Sequence, residues 1–168
     1  MLRALLASAP MFACAFWCIA LILDYRHYNR GKALLAIFMF VATIHFFCQA
    51  VFCNYLYKLT YRIDTLYIYV TLSVFPLYYI YIQALTDKKK PGARSLWLFI
   101  PAIVIGTAAG ILYYLMPSEE SEAFVHQVLF HEKGSYEFSL AGKLQRINLL
   151  ILDIVFAALI VPVTYYGM

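Results

Sequence analysis

The sequence predicts an all-α fold, a polytopic membrane bundle of about five transmembrane helices. Composition makes the first argument: 64% of the 168 residues are hydrophobic and 13% are charged, whereas a soluble domain is about half apolar and about a quarter charged. The mean hydropathy of +0.76 points the same way, to an integral membrane protein. The third observation is distribution. The apolar residues gather into stretches close to the ~20 residues a helix needs to cross a ~30 Å hydrocarbon core. This excludes a disordered chain, a disulfide-stapled secreted scaffold and an ordinary soluble enzyme.

The predicted helices cover about 5–23, 34–55, 66–85, 96–116 and 147–166. Continuous apolar runs of this length do not alternate as barrel strands do, so helices are the expected form. The first run has near-spanning length and no small-residue cleavage site before Asp24. It reads as a retained helix rather than a cleaved signal peptide. Pro76 in the third helix and Pro101 in the fourth remove backbone donors and are expected to kink or loosen their helices. In the fourth, Gly106 and Gly110 form a Gly-x-x-x-Gly motif. Such a motif lets two helices approach closely, within the chain or across a homodimer.

The outer loop, 117–143, is the one sizeable segment outside the predicted spans. Ser118, Glu119 and Glu120 read as a helix N-cap with an acidic first turn. Lys133 and Gly134 read as its end. Phe124, Val125, Val128 and Leu129 cover one side, which predicts an amphipathic helix that lies against the interface or caps the bundle. Residues 135–140 alternate polar and apolar, as an extended return does.

Orientation follows from Lys and Arg in the short connections. Arg26, Arg30 and Lys32 follow the first helix, and Lys88, Lys89, Lys90 and Arg94 follow the third. The connection between them has Lys58 and Arg62, and the long loop carries Glu119, Glu120, Glu122, Glu132 and Glu137. The expectation is an N-terminus outside and a C-terminus in the cytoplasm. Tyr55, Tyr57, Tyr61, Tyr113, Tyr114, Tyr165 and Tyr166 read as interfacial anchors. The net charge of +4 reads as a topology signal and not as a nucleic-acid surface.

Ionisable and polar groups inside a membrane segment face the bundle interior and have partners. His45 and Gln49 on the second helix, Thr71 on the third and Asp153 on the fifth fall at similar depths. They are the candidate ligand-binding residues, grouped in a polar cluster around a small cavity open to the outside. The bland reading of the same four is an interhelical hydrogen-bond network. Cys14, Cys18, Cys48 and Cys53 read as small apolar packing residues. No metal or cofactor is expected. His126 and His131 are five apart and share no helical face, and a bis-histidine haem would need a second intramembrane His. Nothing forms a nucleophile–base set, so the expected function is not enzymatic.

One stretch carries a family resemblance. Phe75-Pro76-Leu77-Tyr78-Tyr79-Ile80-Tyr81-Ile82-Gln83-Ala84-Leu85-Thr86, a basic loop, and then Leu98-Phe99-Ile100-Pro101-Ala102 resemble the N-terminal membrane region of bacterial membrane-anchored AraC-type transcription regulators. The basic turn Tyr28-Asn29-Arg30-Gly31-Lys32-Ala33-Leu34-Leu35 fits the same pattern, and the likeness covers roughly residues 20–105. It implies a signal-input domain in the bacterial inner membrane that passes an envelope or small-molecule cue to a cytoplasmic helix-turn-helix domain. This chain holds no helix-turn-helix and ends in an apolar helix, so the expectation is an excised membrane domain or a longer natural polypeptide. The expected partners are lipid, an unknown small molecule and a second copy, with no direct nucleic-acid contact. A transporter or channel subunit and a structural assembly subunit are the alternatives. A cysteine introduced beside Lys89 is expected to react with a membrane-impermeant maleimide only after the cytoplasmic side is opened. Labelling from outside in intact cells would invert the topology.

Overall fold

A computed structural model describes residues 2–24, 30–54, 56–86 and 93–166. Arg26, Lys88, Lys89, Lys90 and Tyr55 lie outside the described residues, as do the side chains of Arg30, Arg94, Tyr57, Tyr165 and Tyr166. The described chain is helical with no strand: α1 Leu2–Leu23, α2 Arg30–Cys53, α3 Tyr57–Thr86, a 3-10 segment Ala93–Phe99, α4 Ile100–Leu115, α5 Ser118–Phe124 running into a π-helical turn Val125–Leu129, and α6 Leu140–Tyr166. Three helical stretches are long and apolar enough to cross a membrane, Gly31–Cys53, Leu59–Thr86 and Leu96–Leu115. The apolar part of α1, Ala7–Leu23, is shorter. The first half of α6 is diluted by Lys143, Arg146 and Asp153.

Successive long helices run antiparallel. Cys18 of α1 reaches the Ala36 carbonyl of α2, and Gly31 of α2 approaches Leu85 of α3. Tyr69 of α3 meets Thr107 of α4 at 2.8 Å. The helices pack in chain order, α1 on α2, α2 on α3, α3 on α4, and α6 closes back onto α4 and α3. Loop closure is short for each neighbour, so this order is the one the connections favour.

α3 is the central helix. Thr60, Asp64, Ile68, Leu72 and Pro76 are all fully buried and stand four residues apart, one stripe on one face. Below Asp64 that stripe meets Ala102, Ile105 and Ala109 of α4 and Leu152 of α6 in a single apolar core. Toward the α5 end buried polar residues join it, Thr60 and Asp64 on α3 and Gln145 on α6, beside the buried Phe124 and Val125. The core is thus apolar in the middle and mixed at the α5 end. The outward faces carry Phe12, Phe16, Trp17, Ile103, Val104, Ile111, Ile151 and Ile154, the exposed apolar belt that lipid replaces water to cover.

The elements differ from the sequence reading at their ends. α3 starts at Tyr57 and not near 66, and α6 starts at Leu140 and not near 147. Hydropathy stops at charge, but helix geometry does not, because Lys58, Arg62, Lys143 and Arg146 are good helix formers. α3 continues through Pro76 as one helix. Pro101 occupies the first turn of α4 and not its interior, a place where its missing N–H costs nothing. The Pro101 ring would clash with the carbonyl four residues earlier, and the chain before it takes the 3-10 form. The loop helix ends at Leu129 instead of Lys133; His131 takes the left-handed conformation (φ 54°) that reverses the chain. Gly134 lies farther on, closely overlaid by the Gln127 side chain.

Both motif glycines of α4 face α3. A methyl added at Gly106 would stand 2.6 Å from the Tyr69 ring, and one at Gly110 would stand 3.3 Å from Thr65. Gly106→Val is therefore expected to lower unfolding stability in micelles by about 1–3 kcal/mol, the usual cost of overpacking. The lipid-facing Val104→Ala should change it little. Equal stability of Gly106→Val and the parent chain would show that this close approach is not needed.

Candidate functional site

The polar layer begins with Asp64. It lies about 10 Å into α3, counted from Tyr57 at about 1.5 Å per residue. It points along the buried stripe and is 2% exposed. The Tyr113 hydroxyl of α4 donates to its Oδ2 at 2.8 Å. Removing a carboxylate from water is costly unless donors replace the water, and a phenol on the neighbouring helix supplies one here. The Tyr113 ring then stacks edge-on against Phe124, centroids 6.0 Å apart. Phe124 and Val125 are completely buried. The loop helix therefore plugs the end of the bundle, one of the two placements its apolar side allows.

The plug is tied to α6 as well as to α4. Glu120 is 3% exposed, and its Oε1 accepts the Ser139 backbone N–H at 2.8 Å. Ser139 immediately precedes α6, so the carboxylate sits where the helix leaves unpaired N–H groups and a partial positive charge. Gly142 makes room for it: a methyl there would fall 2.6 Å from Glu120 Oε1. One turn on, Gln145 is fully buried, and neither end of its amide has a partner at hydrogen-bonding geometry, although it neighbours the Tyr113 hydroxyl. Asn148 donates to the Ile105 carbonyl of α4 at 3.2 Å.

Beside this layer a cleft of about 410 Å³ opens between α2, α3, α6 and the π turn. Asp64 and Tyr67 come from α3, Arg146 and Asp153 from α6, Phe52 from α2 and His131 from the connection after the π turn. Apolar side chains of α6 and the π turn complete the lining. The volume lies in the range of small-molecule sites, ~300–1,000 Å³. Two of its lining residues, Ile68 and Leu152, also belong to the apolar core.

The structure divides the residues singled out from the sequence. His45 and Thr71 meet, Nδ1 to Oγ1 at 3.1 Å, and His45 stacks on Tyr67 with ring centroids 5.4 Å apart. Asp153 is exposed and lines the cleft one helix away. Gln49 is exposed and lines no part of the cleft. Of the four, His45 and Thr71 are in contact, and Tyr67 stands between them and the cleft that it lines together with Asp153, Asp64 and Arg146. Tyr113 turns inward to Asp64 instead of anchoring at the interface, while Tyr114 beside it is 88% exposed. Sequence reasoning missed Asp64 and Gln145, and read Tyr113 as an anchor and Glu120 as part of an acidic first turn. The four-residue repeat from Thr60 to Pro76 was the available signal, since it places Asp64 on the same face as Ile68 and Leu72. Among the described residues no group of three His, Cys, Asp or Glu is arranged to hold a metal ion.

Comparison with known proteins places no neighbour beside this arrangement: no family model, no curated protein and no solved structure matches the chain.

The Asp64–Tyr113 pair is testable by a double-mutant cycle. Tyr113→Phe leaves a buried carboxylate without its donor and should cost about 1–3 kcal/mol. Replacing both partners, Asp64→Leu with Tyr113→Phe, should cost less than the two single changes added, because no polar group is then stranded. Strict additivity in reversible micellar unfolding would show that the two side chains are not coupled.

Proposed function

We propose that the chain is a membrane-embedded signal-input domain in which a ligand held in the open cleft biases the packing of α6. One observation carries this reading. A cleft of about 410 Å³ brings Asp64 and Tyr67 of α3 together with Arg146 and Asp153 of α6, and α6 runs on from it for the length of the bundle. A ligand there would touch the helix that leads to the C-terminal end. In the AraC-type arrangement that residues 20–105 resemble, the receiving element is a cytoplasmic DNA-binding domain reached through the last transmembrane helix. The corresponding topology is five crossings of a bacterial inner membrane, N-terminus outside, with the cleft outside and no catalytic step. Coupling requires only that the ligand bind two packings of α6 with different affinity.

A dimerisation-dependent transcription reporter fused after residue 168 tests the proposal. Asp153→Asn, Arg146→Gln and Glu120→Ala are each expected to shift reporter output at least threefold at equal membrane abundance. Output that stays constitutive and indifferent to all three substitutions would overturn the input role. Vesicles reconstituted with the chain should show no solute flux above empty vesicles.

A further inference from the structure

The charge lining the cleft specifies what it takes. Asp64 and Asp153 both face this space, and Arg146 is the one Lys or Arg side chain among its lining residues. Neither carboxylate meets a cation at ion-pair distance: the ion pairs among the described residues are Lys32–Asp24 and His126–Glu132. Asp64 is 2% exposed, and its hydrogen-bond donor is Tyr113, on Oδ2. Two carboxylates and one guanidinium line the site, Asp64 buried and Asp153 and Arg146 exposed. With both carboxylates ionised and His131 neutral, the lining carries one negative charge in excess, which a bound cation would offset.

The neutral part of the lining narrows the class. Phe52 and Tyr67 stand 5.1 Å apart at an interplanar angle of 54°, an aromatic wall next to the carboxylates. Aromatic faces attract cations and also accept apolar surface. Ile68, Val128, Leu129, Leu149, Leu150 and Leu152 cover most of the remainder. We infer that the cleft binds a small organic monocation with an apolar body, an alkyl- or arylalkylamine in class. The ammonium is held between Asp64 and Asp153, and the body lies along Tyr67, Phe52 and the α6 leucines. An anion would meet both carboxylates. A divalent metal would meet Arg146 and too few ligands, since no three-residue metal-binding group is present among the described residues. This inference rests on the proposal that the cleft receives a ligand and adds the chemistry of that ligand.

The test uses the full chain in phosphatidylcholine nanodiscs and three matched probe series: phenylalkylamines, phenylalkanols and phenylalkanoates of two to six methylenes. Binding is read by calorimetry and by thermal shift. The expected result is saturable binding of at least one amine, with the alcohol and carboxylate of the same length at least tenfold weaker. Asp153→Asn, an isosteric change at an exposed position, should weaken the amine at least tenfold. Asp64→Asn should do the same, and if that variant fails to fold, Asp153→Asn and the wild-type selectivity decide alone. Alcohols that bind as well as amines, no amine that binds, or full affinity in Asp153→Asn would each overturn the inference. Amine binding with a silent reporter would sink the input role and leave the site standing. A reporter that responds to the cleft substitutions while no amine binds would do the reverse.

Discussion

A carboxylate cannot enter the end of a membrane bundle without recruiting its surroundings, and the packing around Asp64 is organised by that demand. Tyr113 has to turn inward from α4 to donate to it. Once inward, the Tyr113 ring offers an aromatic edge, and Phe124 uses it. The loop helix is thereby drawn over the bundle end, and its own carboxylate, Glu120, reaches the start of α6. One ionisable side chain on the central helix thus accounts for the position of three other elements. Remove the demand and Tyr113 no longer has a reason to offer its edge to Phe124, which leaves the Glu120 contact with Ser139 as the polar tie that positions α5.

The deeper layer is built on a different constraint. Lipid tails are as apolar as leucine, so helices there gain little from hydrophobicity and depend on close contact. α4 supplies it with Ala102, Gly106, Ala109 and Gly110 against the large side chains of α3. Tyr69 covers Gly106 and ties its hydroxyl to Thr107, whose Oγ1 also donates to its own helix at Ile103. The fit is small against large, with every polar atom of that contact satisfied. Ile68 and Ile105 share the apolar core, and Ile68 also lines the cleft.

The helical class, the chain order and the short helix in the long loop are all legible in the sequence, because apolar runs and an acidic first turn are local signals. The expected cap is not there, since Ser118 is already inside the helix and Pro117 precedes it without a side-chain capping bond. Three helices are long and apolar enough to cross a membrane, while α1 and α6 carry less decisive runs. What was not legible is instructive. Charge truncated the third and fifth predicted helices, and the discarded turns hold Asp64 and Gln145. A window average treats a charged residue as an interruption; only the four-residue spacing of Thr60, Asp64, Ile68, Leu72 and Pro76 reveals it as part of the buried stripe. Of His45, Gln49, Thr71 and Asp153, the first and third meet while Gln49 faces outward. Depth follows from counting residues, whereas azimuth depends on how neighbouring helices rotate, and that is decided by contacts such as Tyr69 on Gly106 that no single helix encodes.

The 3-10 segment before α4 changes the geometry of its span. Ala93–Phe99 advances about 2.0 Å and 120° per residue, against about 1.5 Å and 100° in the α form. Its seven residues therefore cover about 14 Å where an α-helix would cover about 10 Å. The membrane crossing gains thickness without gaining sequence. It also loses angular continuity: Leu96 and Phe99 eclipse one another, and neither continues the glycine stripe that begins beyond Pro101. A helical wheel drawn through this crossing as one α-helical rod assigns Leu96–Phe99 to the wrong sides. Pro101 is a joint between two screws of different pitch, and each end of the crossing is free to meet its surroundings at its own angle.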